Sequence, residues 1–150
     1  MKLNNLLDLP LFNENTPLKY NFSKDSFVVV MPCLHDTSEY SKELFLIFCT
    51  FIKNSSPEEK IKGAITFTYD DLIKYSKDLN YEKIPTICKD LLNITIGNLA
   101  SKIYELHNLT IDDIYYDNYK FTLIKYFKEE DRYFIKLDEI AYHFSKNNTK

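Results

Sequence analysis

"ITFTYDDLIKYSKDLNYEKIPTICKDLLN", residues 65–93, is the stretch on which the fold of this chain turns. Ile65 and Phe67 alternate with threonines, the period of a half-buried strand. From Tyr69 onward the period becomes helical, and Tyr69, Leu72, Ile73, Ser76 and Leu79 share one face. Thr68 stands at the switch with Asp71 in the third position after it, a reduced capping box that marks a helix start. A short turn at Leu79–Lys83 leads into a longer stripe made by Ile84, Ile87, Cys88, Leu91, Leu92, Thr95, Leu99, Ile103 and Leu106. That stripe predicts a helix from Ile84 to His107, with Pro85 in the first turn, where its missing N–H costs little. "NITIG" (93–97), β-branched and containing Gly97, is its weak point.

Downstream, the pattern reads as strands. "LTIDDIYY" (109–116) is the first, "YKFTLIKYF" (119–127) the second and "RYFIKL" (132–137) the third. The second alternates Phe121, Leu123 and Lys125 against Thr122, Ile124 and Tyr126, and "KEED" (128–131) turns the chain into the third. Asp138 then caps a short helix with Ile140, Ala141 and Phe144 on one face. Upstream, "FVVVMP" (27–32) is a strand stopped by Pro32. Residues 37–54 form a helix, starting at Thr37 or Ser38 and apolar nearly all round, hence central and buried. Residues 54–63 are a charged loop. Residues 1–24 are a loosely ordered lead-in with one short helix at Asn4–Leu9, leaving 25–150 as a single domain.

A helix pair joined by a tight turn and followed by a β-hairpin is the plan of a winged helix-turn-helix: an α+β fold with a C-terminal hairpin wing and a short terminal helix. The opening stretch, followed by "FTLIKYFKEEDRYFIKLDEIAYHF" (121–144), resembles the first winged-helix domain of plasmid replication initiator proteins. The shared features are a strand ending in a Thr or Ser cap, a helix, a second helix ending in Leu-Leu, and a hairpin running directly into a short apolar helix. The resemblance spans about residues 38–147. It implies a DNA-associated, dimerising domain that makes accessory DNA contacts, while a second domain commonly makes the main ones at the replication origin. This chain has room for one such domain, as part of a longer initiator or as a stand-alone relative.

Composition limits the alternatives. Gly63 and Gly97 are the only glycines, so no Walker or Rossmann phosphate loop exists. Net charge is −3, and of 19 basic residues only Arg132 is an arginine. Base or phosphate reading by several bidentate arginines is therefore excluded. No apolar run reaches the ~20 residues of a membrane span. Three cysteines, Cys33, Cys49 and Cys88, without disulfide spacing predict a reducing, cytoplasmic setting.

For double-stranded DNA the candidate contacts are Lys83, Thr86, Lys89 and Asn93 on the recognition helix, with Lys128 and Arg132 on the wing. Lysines there would hold phosphates, and Thr86 and Asn93 would reach base edges. Glu82 and Asp90 oppose Lys83 and Lys89, so a solvated helix face and an ordinary hairpin is the competing account. No metal, cofactor or small-molecule substrate is expected. Cys33 and His35 lack a second ligand pair. Adjacent carboxylates such as Asp70–Asp71 and Asp112–Asp113 diverge on helix or strand, and suit caps and turns. Nothing marks an enzyme.

The unusual quantity is 12 Tyr and 11 Phe without Trp. Core packing and an interface account for these rings better than base stacking, because no basic groove accompanies them. Tyr115, Tyr116 and Tyr119, beside a strand edge, are the candidate homodimer contact. The functional expectation is a DNA-associated, non-enzymatic, replication-initiator-like domain. The alternative is a winged-helix protein-interaction module, phage- or plasmid-borne, without DNA binding, which the negative charge favours.

Overall fold

The computed structural model describes residues 17–31, 38–54 and 64–145. The chain runs β1 (Leu18–Asn21), β2 (Phe27–Val30), α1 (Ser38–Lys53), β3 (Ala64–Thr68) and α2 (Tyr69–Asp78). A 3-10 turn (Ile84–Thr86) and α3 (Lys89–Ser101) follow. Then come β4 (Ile103–His107), β5 (Leu109–Ile111), β6 (Ile114–Tyr116), β7 (Tyr119–Thr122), β8 (Ile124–Glu129), β9 (Arg132–Leu137) and α4 (Glu139–Ser145). Among the described residues all strand pairings are antiparallel, giving a mixed α+β fold. One sheet has the order β1-β2-β4-β7, a second β3-β9-β8, and β5-β6 form a separate ribbon.

Helix α1 is the centre, as its all-round apolarity predicts. Leu44, Phe45, Ile47, Phe48, Cys49 and Ile52 are all buried. The four-stranded sheet contributes Val28, Val30, Tyr104 and Leu106 to the core, and the three-stranded sheet Ile65, Phe67, Tyr133 and Ile135. Of the core positions expected from periodicity, Leu44, Phe48, Leu72, Ile87, Phe121, Leu123 and Ile135 are buried, while Ile73 and Leu91 are half-buried.

Several boundaries differ from the sequence expectation. The helix expected over Ile84–His107 is three elements. Ile87 and Cys88 are extended (ψ 138 and 164), which separates the 3-10 turn from α3. Lys102 is again extended (ψ 119), and the chain continues as β4. "NITIG" is no break, since it lies inside α3. Residues Ile103–His107 kept a helical stripe in sequence, but pairing with β2 sets Tyr104 opposite Val30 and Leu106 opposite Val28. All four are completely buried, and that burial outweighs local propensity.

The single strand expected at 109–116 is a hairpin. It turns at Asp112 and Asp113, whose φ values of 50° and 66° are the left-handed pair that a two-residue hairpin turn needs. The strand expected at 119–127 is two strands in different sheets, because Leu123 and Ile124 are consecutive and both buried. A straight half-exposed strand cannot bury neighbours that point to opposite faces. Leu18–Asn21, expected in the loose lead-in, form β1 along β2. The helix expected at Asn4–Leu9 lies outside the described residues.

Candidate nucleic-acid interface

Helix α2 begins as the sequence indicated. Thr68 Oγ1 accepts from the Asp71 N–H at 3.2 Å, and Asp71 Oδ2 accepts from the Thr68 N–H at 3.2 Å. The helix ends in a Schellman closure. The Tyr81 N–H donates to Ser76 O (3.0 Å) and the Asn80 N–H to Lys77 O (2.9 Å). Asn80 takes the left-handed conformation (φ 61°), which asparagine tolerates better than most residues.

The turn that follows is held from outside by Glu43 of α1, a residue the sequence offered no reason to single out. Its Oε1 accepts from the N–H groups of Lys83 (2.9 Å) and Ile84 (2.8 Å), and its Oε2 from Lys83 at 3.1 Å. Ile84 and Ile87 are buried on either side of Pro85 and Thr86. The Tyr69 hydroxyl donates to Ile87 O, so α2 also grips the start of α3. The path between α2 and α3 is thus fixed by two buried isoleucines, one carboxylate and one phenol.

Helix α3 exposes Lys89, Asp90, Asn93 and Ile94 on one face. Lys89 and Asn93, one turn apart, are neighbours on that face. The β8–β9 hairpin reaches it through Tyr133, which is buried and stacked on Phe67 at 5.2 Å. Its hydroxyl donates to Asn93 Oδ1, and Lys128 Nζ lies over its ring at 5.1 Å. Lys89 Nζ similarly lies 5.6 Å from the Tyr69 ring. The structure therefore gathers Lys89, Asn93 and Lys128 around Tyr69 and Tyr133. In the sequence Tyr69 belongs to an apolar helical face and Tyr133 to the aromatics of the third strand, for which core and interface are favoured over base stacking.

The other candidates are held by different contacts. Arg132 is opposite Thr68 in the β3–β9 register and points to the other face of the sheet from Tyr133. The hydrogen bonds from Thr68 hold the Asp71 carboxyl below its ordinary range, and Arg132 and Lys74 add to this. Arg132 therefore has a carboxylate beside it. Lys83 and Thr86 sit on the 3-10 turn, and the Thr86 hydroxyl donates to Lys83 O at 2.8 Å. Asp90 on α3 and Glu129, Glu130 and Asp131 at the hairpin tip are exposed, so the surface mixes both signs of charge.

The three tyrosines expected at a dimer contact differ in placement. Tyr115 is 60% exposed, beside exposed Ile114, with its hydroxyl donating to Asn108 Oδ1. Tyr116 and Tyr119 pack on one another (5.0 Å) and against the core, and Tyr119 stacks on Phe121 at 5.7 Å.

Elsewhere, His107 stacks on Phe27 at 4.5 Å and sits 2.7 Å from Glu105. No group of three or more His, Cys, Asp or Glu among the described residues could hold a metal ion. Cys49 is buried, which pushes its thiol pKa far up, whereas Cys88 is exposed. An apolar cleft of about 270 Å³ is lined by Ile47, Phe48, Phe51 and Leu72, with Asp71 as its carboxylate. No helix among the described residues is long and apolar enough to cross a membrane. No family model, curated protein or solved structure matches the chain.

Proposed function

We propose that this chain is a winged-helix domain that associates with double-stranded DNA without catalysing a reaction, in the manner of a replication initiator's first domain. The observation that carries the reading is the contact of the β8–β9 hairpin with α3 through Tyr133 and Asn93. The connectivity α1, β3, α2, α3, β8, β9 and the sheet order β3-β9-β8 support it, since a winged helix closes its hairpin on the first strand in this way. On this reading α3 enters the major groove, with Lys89 and Lys128 on flanking phosphates and Asn93 nearest the base edges. β4 to β7 are then an insertion between the recognition helix and the wing.

The test is fluorescence anisotropy of a labelled random-sequence duplex of about 30 base pairs, titrated with the full chain at several salt concentrations. Binding should weaken steeply as salt rises. Lys89→Ala with Lys128→Ala should lower the log–log salt slope by about 2, because each neutralised phosphate contributes about 0.9. No binding even at low salt would end the DNA reading and leave the protein-interaction module. One observation favours that second reading: Phe127, on the outer strand of the hairpin, is 59% exposed beside an acidic tip.

A further inference from the structure

Strand β8 is the outer strand of its sheet, and every residue from Lys125 to Glu129 is exposed. Such an edge carries a row of backbone donors and acceptors open to pairing. It presents Tyr126 (43% exposed) and Phe127 (59% exposed), and among the described residues no strand covers it. We infer that β8 pairs antiparallel with β8 of a second copy of this chain, with Phe127 on the two-fold axis, joining two three-stranded sheets into one of six.

The register follows from the hairpin itself. Glu130 and Asp131 form a two-residue turn, so Glu129 and Arg132 are the pair joined by the turn's hydrogen bond. Hydrogen-bonded pairs alternate along an antiparallel ladder. Lys125, Phe127 and Glu129 therefore direct their N–H and C=O groups toward β9, and Ile124, Tyr126 and Lys128 direct theirs outward. A symmetric antiparallel partner must bond to the outward set, so a residue, not a peptide bond, lies on the axis.

Of the residues that can lie on the axis, Tyr126, Phe127 and Lys128 are the three that keep the exposed run Lys125–Glu129 most fully paired, since centring nearer either end leaves more of it without a partner. Centring on Lys128 sets two lysines against each other, which like charges disfavour. Centring on Tyr126 sets Lys125 against the partner's Phe127. Centring on Phe127 sets Lys125 against the partner's Glu129 and Tyr126 against the partner's Lys128, and each of these pairs occurs twice by symmetry. Phe127 pairs with its own copy at a non-hydrogen-bonded position, where side chains approach most closely.

Phe127 already lies against Phe134 across the hairpin, with ring centroids 4.5 Å apart and planes 6° from parallel. The second copy extends that pair into a row of four rings. Charge complementarity and ring continuity thus select one register and one occupant. By contrast, Tyr116 and Tyr119 are committed to the chain's own core.

Sedimentation equilibrium of the full chain from about 1 to 200 μM tests the pairing, a range spanning a micromolar Kd. Dimer is expected. Lys125→Glu alone and Glu129→Lys alone should each weaken it about tenfold, by placing like charges face to face at two symmetric sites. The double swap Lys125→Glu with Glu129→Lys should restore affinity to within about threefold. Phe127→Lys should leave monomer, and circular dichroism confirms that each variant is folded. A wild-type chain that stays monomeric at the highest concentration overturns the inference. So does a dimer indifferent to both single charge reversals and to Phe127→Lys, which would direct attention to Tyr115.

Discussion

Replacing Glu43 by alanine isolates the contact that orients the turn between α2 and α3. The carboxylate accepts from two consecutive N–H groups, Lys83 and Ile84, at 2.8 to 3.1 Å. These open the 3-10 turn, so no preceding carbonyl within it serves them. Water can replace the carboxylate at exposed Lys83, whereas Ile84 is completely buried. Hydrogen bonds to a charged group contribute about 1.5–3 kcal/mol, and a buried donor left bare costs about 1–3 kcal/mol. With one of the two donors rehydrated, Glu43→Ala should cost about 2–3 kcal/mol. Glu43→Gln keeps an oxygen in place but gives up the charge assistance, so about half that loss is expected. Urea unfolding followed by circular dichroism reads the midpoint, and an unchanged m-value keeps the comparison clean. Amide exchange at Ile84 reads the local effect and should accelerate in both variants. If Glu43→Ala lies within about 0.5 kcal/mol of wild type, the range of an ordinary surface change, then Glu43 does not hold this turn and the α2–α3 path has another origin.

Three further outcomes are expected. Gly97 lies inside α3, with nothing within 4 Å of where a Cβ would stand, so Gly97→Ala should add about 0.5–1 kcal/mol by urea unfolding. Asp138 accepts from the N–H groups of Ile140 (2.9 Å) and Ala141 (3.2 Å), yet burial raises its pKa overall. A raised folded pKa favours folding below the unfolded-state value and loses that benefit as pH rises through the folded one. Asp138→Asn should therefore match or exceed wild type at pH 7, with its advantage vanishing below the ordinary carboxylate range. Asp138→Ala should lose about 1 kcal/mol as the cap is removed. Iodoacetamide at pH 8 should label exposed Cys88 readily and buried Cys49 only on unfolding, as peptide mass mapping would show.

The parts legible in the sequence are those where one local signal decides the structure. Thr68 and Asp71 announce a helix start because their capping bonds form within four residues. The apolar circumference of α1 announces burial because no face is left for solvent. The parts that misled are those decided by distant partners. Ile103 and Leu106 continue a helical stripe in sequence, and only pairing with strands far away in the chain, β2 before them and β7 after, makes them a strand. Leu123 carries an alternating pattern across a point where the chain changes sheets. At the candidate interface, Lys89, Asn93 and Lys128 were visible as polar residues on exposed faces. What gathers them, Tyr133 and Tyr69, belongs to the core, Tyr133 buried and Tyr69 half-buried against it. Glu43 gave no signal, because its role depends on N–H groups some forty positions away.

The pairing of β2 with β4 also bears on how the protein is made. At synthesis rates of about 5–20 residues per second, β4 leaves the ribosome about 4–15 seconds after β2, because about 75 residues separate them. Throughout that interval β2, whose Val28 and Val30 are completely buried in the finished fold, is paired along one edge only, with β1. The β1–β2 ribbon must wait as an incomplete template, offering its bare edge to any other nascent chain. Yield from a crowded translation system should therefore be limited by this early segment, well before the candidate DNA surface exists.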